Sequence, residues 1–479
     1  MYLGIDLGTS GVKALLIDDA QRAVASGTAP LSVSRPADGW SEQDPADWIA
    51  ATEAALDALA ARAPAALAAV NGIGLSGQMH GATLLGPADE VLRPCILWND
   101  TRAHAEAAAR DADPRFREIT GNIVFPGFTA PKLDWVRAHE PALFGALSRV
   151  LLPKDYLRLW LTGEHVSEMS DASGTSWLDV AARDWSDPLL EATGLTRAQM
   201  PALVEGAAPS GGLRAALAGR WGLRPGVPVA GGAGDNAAAG IGAGTVAAGT
   251  GFVSLGTSGV LFAATDSYRP RPDSAVHTFC HALPDTWHQM GVILSATAAL
   301  EWFAAIAGSS PGALTGALGP DLAAPGPVTF LPYLSGERTP LNDAGLRGSF
   351  SGLSQATDRD ALTRAVLEGV TFALRDNQEA LRLAGTELAS LVAVGGGSRS
   401  HYWLQLIATV LDLPVGLPDG GDYGAAFGAA RLGMLASGAG PVAEICRPPA
   451  IAEVIDPVTA LQPEFEAAWH RFAAARRRA

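Results

Sequence analysis

Lysine is scarce in this 479-residue chain, which contains only Lys13, Lys132 and Lys154. None of the three follows a glycine, so the Gly-Lys-Ser/Thr end of a Walker A loop cannot occur and a P-loop fold is excluded. Cysteine is equally rare. Cys95, Cys280 and Cys446 are odd in number and far apart, which rules out a disulfide framework and fits a reducing compartment. Positive charge is in deficit too: 34 Lys and Arg against 49 Asp and Glu give a formal net charge of −15. Binding a nucleic-acid backbone needs clustered cations, and the one basic run, Arg476-Arg477-Arg478, reads as a solvated helix end. Asp6 stands where a signal peptide needs an apolar run, so the expected location is the cytoplasm.

Charge is also missing from residues 237 to 265, long enough for a crude membrane window. Seven of those 29 residues are glycine, with Thr and Ser interspersed, so the stretch reads as turns between short strands. No membrane partner is expected. What the chain has in abundance is apolar residues, 48% of the total. A single core stops growing near ~250–300 residues, so at least two domains are expected.

An internal repeat carries the organisation. Leu7-Gly8-Thr9-Ser10-Gly11-Val12 recurs letter for letter as Leu255-Gly256-Thr257-Ser258-Gly259-Val260. Strand-like runs flank each copy, predicting two hairpins half a chain apart and two domains of similar plan facing each other. Elsewhere strands alternate with helices. Asp44-Pro45 opens a helix with Trp48, Ile49, Thr52, Ala55, Leu56 and Leu59 at helical spacing. Leu391 to Val394 reads as a buried strand, Gly395-Gly396-Gly397 as a turn, and Trp403 to Leu411 as a helix. Pro-rich patches near 265–275 and 320–332 read as surface loops. The class is α/β in both halves.

Gly8-Thr9-Ser10-Gly11 offers backbone N–H groups and two hydroxyls at one turn, with Lys13 just beyond, a set that suits a polyphosphate. Asp6 would repel phosphate unless a Mg²⁺ sits between them. One copy reads equally as an ordinary hairpin; the second favours nucleotide binding. Gly232-Ala233-Gly234-Asp235-Asn236-Ala237 imitates a dinucleotide fingerprint, but no acidic residue follows Asp235 until Asp266, which argues against a dehydrogenase. Asp235 is better read as a carboxylate in a Gly-rich turn at the cleft, within reach of a substrate hydroxyl; a solvated turn Asp is the plain alternative. Gly77-Gln78-Met79-His80-Gly81 can present Gln78 and His80 to a polar ligand, or hold a satisfied core histidine. His277, Cys280 and His281 invite a zinc reading, but on a strand Cys280 points opposite to both histidines.

Taken together, these residues resemble the FGGY family of carbohydrate kinases, and within it the members that act on D-xylulose. The matching segments include Gly4 to Lys13, Trp40-Ser41-Glu42-Gln43-Asp44-Pro45, Gly77 to Gly81, Leu97-Trp98-Asn99-Asp100 and Phe128-Thr129-Ala130-Pro131-Lys132. Gly234-Asp235-Asn236, Leu255 to Val260, Leu334-Ser335-Gly336-Glu337-Arg338-Thr339-Pro340 and Gly395 to Gly397 follow in family order. The resemblance implies two actin-like (ribonuclease H-like) domains, residues 1–245 and 246–479, with ATP and sugar in a central cleft. It implies that Gly8, Thr9, Ser10, Gly11, Lys13, Gly256, Thr257 and Ser258 grip phosphate and that Gly396 and Gly397 meet the adenosine. Asp235 matches the catalytic base, Met79, His80, Trp98 and Asn236 the sugar contacts, and Asp6 the residue beside Mg²⁺. The implied reaction is ATP-dependent phosphorylation of D-xylulose at O5, and the implied assembly a homodimer. Two other readings stay open: a kinase for another ketose or polyol, and an actin-like nucleotide switch, which would need no polyol pocket.

Overall fold

The computed structural model describes residues 1–419 and 424–478. Both repeated strings form the predicted hairpins, and each hairpin seeds a seven-stranded sheet. In the first, Tyr2–Leu7 pairs antiparallel with Gly11–Ile17, which pairs antiparallel with Ala23–Pro30. On its other side Tyr2–Leu7 runs parallel to Gly72–Gly77, which runs parallel to Pro228–Ala230, closed antiparallel by Pro209–Gly212. The second sheet repeats this order of pairings. Trp287–Ile293, Gly259–Thr265 and Thr250–Leu255 are antiparallel; Ser390–Val394 and Val415–Pro418 follow in parallel, and Ile451–Ile455 closes antiparallel. His277–Cys280 adds an edge strand on Trp287–Ile293. The six-residue repeat thus marks a repeated sheet.

Glycine lets helices lie directly on strands. A Cβ at Gly74 would run into the Ala429 carbonyl, so the helix Ala425–Ala436, late in the chain, packs against the first sheet. That helix also packs on Asp235–Ala243, where a Cβ at Gly428 would strike the Ala238 carbonyl. Asp235–Ala243 lies between the sheets and contacts strands of both. The helix Pro45–Arg62 forms as predicted: Asp44 accepts from Ala46 N at 2.9 Å, and Trp48, Thr52, Ala55, Leu56 and Leu59 are buried. Ser390–Val394 and His401–Leu411 likewise match the predicted strand and helix.

Three expectations are corrected. Asp235 does not lie in a turn; it is the first residue of a helix. The stretch 237–265 accordingly begins as helix through Ala243 before its two strands. Three consecutive alanines favour helix, and Gly240 and Gly242 are tolerated because Phe262 and the Gly428 helix press against them. Within the Pro-rich patch 320–332, Thr329–Leu331 is a strand paired with Ser349–Ser351, and Phe330 is buried in the second core. Among the described residues, no helix is long and apolar enough to cross a membrane.

Candidate active site

Parallel strand ends build one rim. Asp6 lies opposite Ser76 in register, and Ser76 lies opposite Ala233 on the short strand Ala233–Gly234. The chain leaves these strands as the first hairpin turn, the 78–81 segment and the Asp235 helix. Three segments far apart in sequence are therefore delivered to one edge, where open α/β sheets hold ligands. Asp6 accepts from Ser76 Oγ at 2.9 Å and faces Lys13 across the hairpin. Burial raises the Asp6 carboxyl and lowers the Lys13 ammonium, each opposed by the other's charge. Burial, with the charge of Asp6, also pushes Asp235 up to about 6. Its Oδ1 accepts from the Asn236 backbone at 2.7 Å and from Asn236 Nδ2 at 2.9 Å, so Asn236 orients the carboxylate.

The hairpin turn is braced from behind. Gly8 N donates to Gly11 O at 3.0 Å, closing the turn and leaving the Ser10 side chain exposed at its tip. Thr9 Oγ1 donates to Gln78 Oε1 and accepts from Trp98 Nε1, both at 2.9 Å. Gln43 Nε2 donates to the Thr9 carbonyl at 2.8 Å, and its Oε1 accepts from Gln78 Nε2 at 2.9 Å and Trp48 Nε1 at 3.0 Å. The Thr9 hydroxyl expected to face phosphate is thus engaged on both sides, leaving Thr9 its backbone for that purpose. Gln78, expected to face a ligand, is buried and belongs to this brace instead. Trp98 stays 46% exposed beside the turn. Its loop is held by Asp100, which accepts from Ser41 N and pairs with buried Arg102.

His80 occupies the left-handed region with φ 68°. Lys132 Nζ fixes that backbone by donating to His80 O at 2.8 Å and Gly127 O at 2.7 Å. Burial lowers the Lys132 ammonium to about 7. Burial and the Lys132 charge hold His80 down at about 3, so the ring is neutral. Its Nδ1 lies 2.9 Å from Gly174 O, which only accepts; the proton is therefore on Nδ1 and Nε2 is an acceptor. The ring stacks on Phe128 at 4.6 Å. Met79 packs against Gly234, where a Cβ would meet its Cγ and Sδ, so Met79 abuts the base of the Asp235 helix. The roles of Lys132, Gln43 and Gln78 escaped the sequence reading, because all act through hydrogen bonds between distant segments.

The second sheet supplies the opposite wall. Thr257 and Ser258 are exposed at their hairpin tip, while Gly256 O accepts from Thr297 N and Oγ1, both at 2.9 Å. Gly256, Gly396 and Gly397 line one cavity of about 730 Å³ with Arg399, Tyr402 and the Pro311–Gly316 face. A Cβ at Gly396 would meet nothing within 4 Å, so its backbone is open to that cavity. Gly397 is closed: a Cβ there would press on Leu255 and Trp403. Among the described residues, no three His, Cys, Asp or Glu side chains are grouped to hold a metal ion. Asp6 and Asp235 offer hard oxygen donors, which suits a cation that keeps most of its water and phosphate ligands.

Two sheets of one plan, paired turns at their rims and a carboxylate on the helix between them define a two-domain, actin-like phosphotransferase fold. The chain matches the N-terminal domain of the FGGY family of carbohydrate kinases over residues 1–242 and its C-terminal domain over 251–437. It belongs to that family. It is 51% identical to the xylulose kinase of Escherichia coli K12 over 440 residues, covering 91% of this chain and 90% of that one. The Bacillus subtilis xylulose kinase is 37% identical, with 91% and 88% covered. Among solved structures, a "xyloylose kinase" from Brucella ovis superposes with a TM-score of 0.98 at 64% identity, covering 99% of this chain and 98% of that one. Plasmodium falciparum glycerol kinase, at 18% identity, shares the fold, with a TM-score of 0.90 and 99% and 97% covered.

Proposed function

We propose that this protein transfers the γ-phosphoryl group of ATP to O5 of D-xylulose. The similarity to xylulose kinases over nine-tenths of the chain supports the substrate, and the placing of Asp235 carries the chemistry. A carboxylate held near a pKa of 6 is ionised at neutral pH yet basic enough to accept the O5 proton as that oxygen attacks phosphorus. Asn236 keeps the accepting oxygens aimed, and Met79, His80 and Trp98 hold the rest of the sugar beside it. Lys13 and the two hairpin turns offset charge on the phosphates. Gly396 lets the adenosine approach bare backbone in the cavity of about 730 Å³.

Asp6, with Asp235 close by, is the residue that would hold Mg²⁺ against the phosphates, where the ion neutralises charge when bound. The cytoplasm, where ATP and the reducing poise suited to three free buried thiols coexist, is the proposed location. The test is sugar-dependent ADP release over a panel of ketoses and alditols. D-xylulose should give the highest kcat/KM, and a clear preference for another sugar would overturn the substrate assignment.

A further inference from the structure

The segment Leu334 to Pro340 has no part in the machinery above, yet its construction directs one cation, Arg338, onto an aromatic ring of the first half. Glu337 Oε1 accepts from Leu294 N at 3.0 Å and from Arg338 N at 2.8 Å. Thr339 Oγ1 accepts from Val292 N at 3.1 Å and donates to Ala275 O at 2.9 Å. Both flanking side chains are thus tied to the end of Trp287–Ile293, and Arg338 between them extends away from it. Its guanidinium lies 4.5 Å over the Phe125 ring. Phe125 is 5.4 Å from Phe128, on which His80 stacks. Among the described residues, no carboxylate pairs with that guanidinium and no hydrogen bond engages it. His277 Nδ1, buried 5.3 Å from the Phe125 ring between centroids, also lacks a described partner. Arg338 comes from the second half of the chain and reaches over aromatic residues of the first, on the side of the sugar site where His80 stands.

Hydrogen-bond polarity then narrows what fits. A guanidinium only donates, in a planar fork. His80 Nε2 only accepts, because Nδ1 holds the proton against Gly174 O. We propose that Arg338 and His80 together read the carbonyl end of the sugar: Arg338 donates to the ketone oxygen and His80 accepts from a neighbouring hydroxyl. Arg338 thereby selects a ketose over its alditol. A planar carbonyl offers two in-plane lone pairs to the fork, whereas an alditol hydroxyl at that carbon is tetrahedral. The inference rests on the D-xylulose reading. It also accounts for a guanidinium kept over Phe125 with no described carboxylate in ion-pair contact, the adjacent Glu337 carboxyl acting on it only at longer range.

The experiment compares wild type, Arg338→Met and Arg338→Lys, measuring KM and kcat for D-xylulose, the inhibition constant of xylitol, KM for ATP and melting temperature. Arg338→Met should raise the D-xylulose KM about 10- to 100-fold, as for loss of a charged donor. Xylitol should shift by less than about threefold, with ATP unmoved. Arg338→Lys should fall between, and it carries the same comparison should the Met variant not fold. Equal weakening of ketose and alditol, or no change in either, would show Arg338 to be an interdomain brace and overturn the assignment. If wild type phosphorylates no D-xylulose, the substrate reading itself fails, and that outcome is visible before any variant is compared.

Discussion

Asp6 and Asp235 stand on one rim of the first sheet, and the charge of Asp6 helps to raise the Asp235 carboxyl to about 6. Two like charges so placed resist joint ionisation without a cation between or beside them. Lys13, opposite Asp6 in the hairpin, supplies part of that charge, and the metal ion that accompanies ATP would supply the rest.

Replacing Asp6→Asn should therefore act on the metal before the sugar. The Mg²⁺ concentration giving half-maximal rate should rise about tenfold or more, as for one lost charged interaction. The D-xylulose KM at saturating Mg²⁺ should stay near wild type. A metal titration at fixed ATP checks this, and an unchanged Mg²⁺ requirement would remove Asp6 from the metal's surroundings.

Lys13→Ala should weaken ATP and leave the sugar alone, if Lys13 acts in the hairpin proposed to grip phosphate. One lost cation facing phosphate corresponds to ~1.5–3 kcal/mol, roughly ten- to a hundred-fold in KM for ATP. A rise confined to the sugar KM would mean the hairpin serves the other substrate.

Lys132 touches no substrate, yet its removal should be felt at the sugar. In Lys132→Met the Gly127 carbonyl loses its donor, at ~1–3 kcal/mol for a buried group left unpaired, and the His80 carbonyl keeps only Thr129 Oγ1 at 3.1 Å. The melting temperature should fall and the D-xylulose KM rise, while KM for ATP holds. Lower stability with an unaltered sugar KM would show that the left-handed backbone at His80 is irrelevant to binding.

A buried carboxyl outside the site gives a pH test of the second core. Burial raises Glu368 to about 8, against opposing donation from Gly326 N at 3.2 Å. Its pKa when unfolded is near ~4.5, so between those values the native state holds a proton that the unfolded chain has released. Wild-type stability therefore loses ground as pH rises through that window. Glu368→Gln has no such proton, so its stability relative to wild type should climb by ~1.4 kcal/mol per pH unit and level off above pH ~8. Denaturant unfolding at several pH values reads this directly; a difference independent of pH would contradict it.

Much of this was written in the sequence. The hairpins could be read because a short polar turn between alternating strands is a local signal, and Leu7 to Val12 spelled it twice. The Asp44-Pro45 helix start was equally local. Asp235 was found for its chemistry but misplaced in a turn, since glycines there signal a break unless the close approach of Phe262 and Gly428 is known. Gln78 was read as facing a ligand because nothing in its neighbourhood announces Gln43, 35 positions away. The packing of Ala425–Ala436 on the first sheet was invisible for a related reason. It depends on Gly4 and Gly74, whose missing side chains leave no hydrophobic pattern to read.

The central claim is that the Asp235 carboxylate takes the proton from the sugar hydroxyl under attack. Asp235→Asn keeps the size of the side chain and the start of its helix, so fold, sugar binding and ATP binding should persist. Turnover, measured as D-xylulose-dependent ADP release at saturating substrates and Mg²⁺, should fall by ~10²–10⁴-fold. A correctly folded variant that retains more than about a tenth of wild-type turnover, well above the loss expected for a missing general base, would contradict the account.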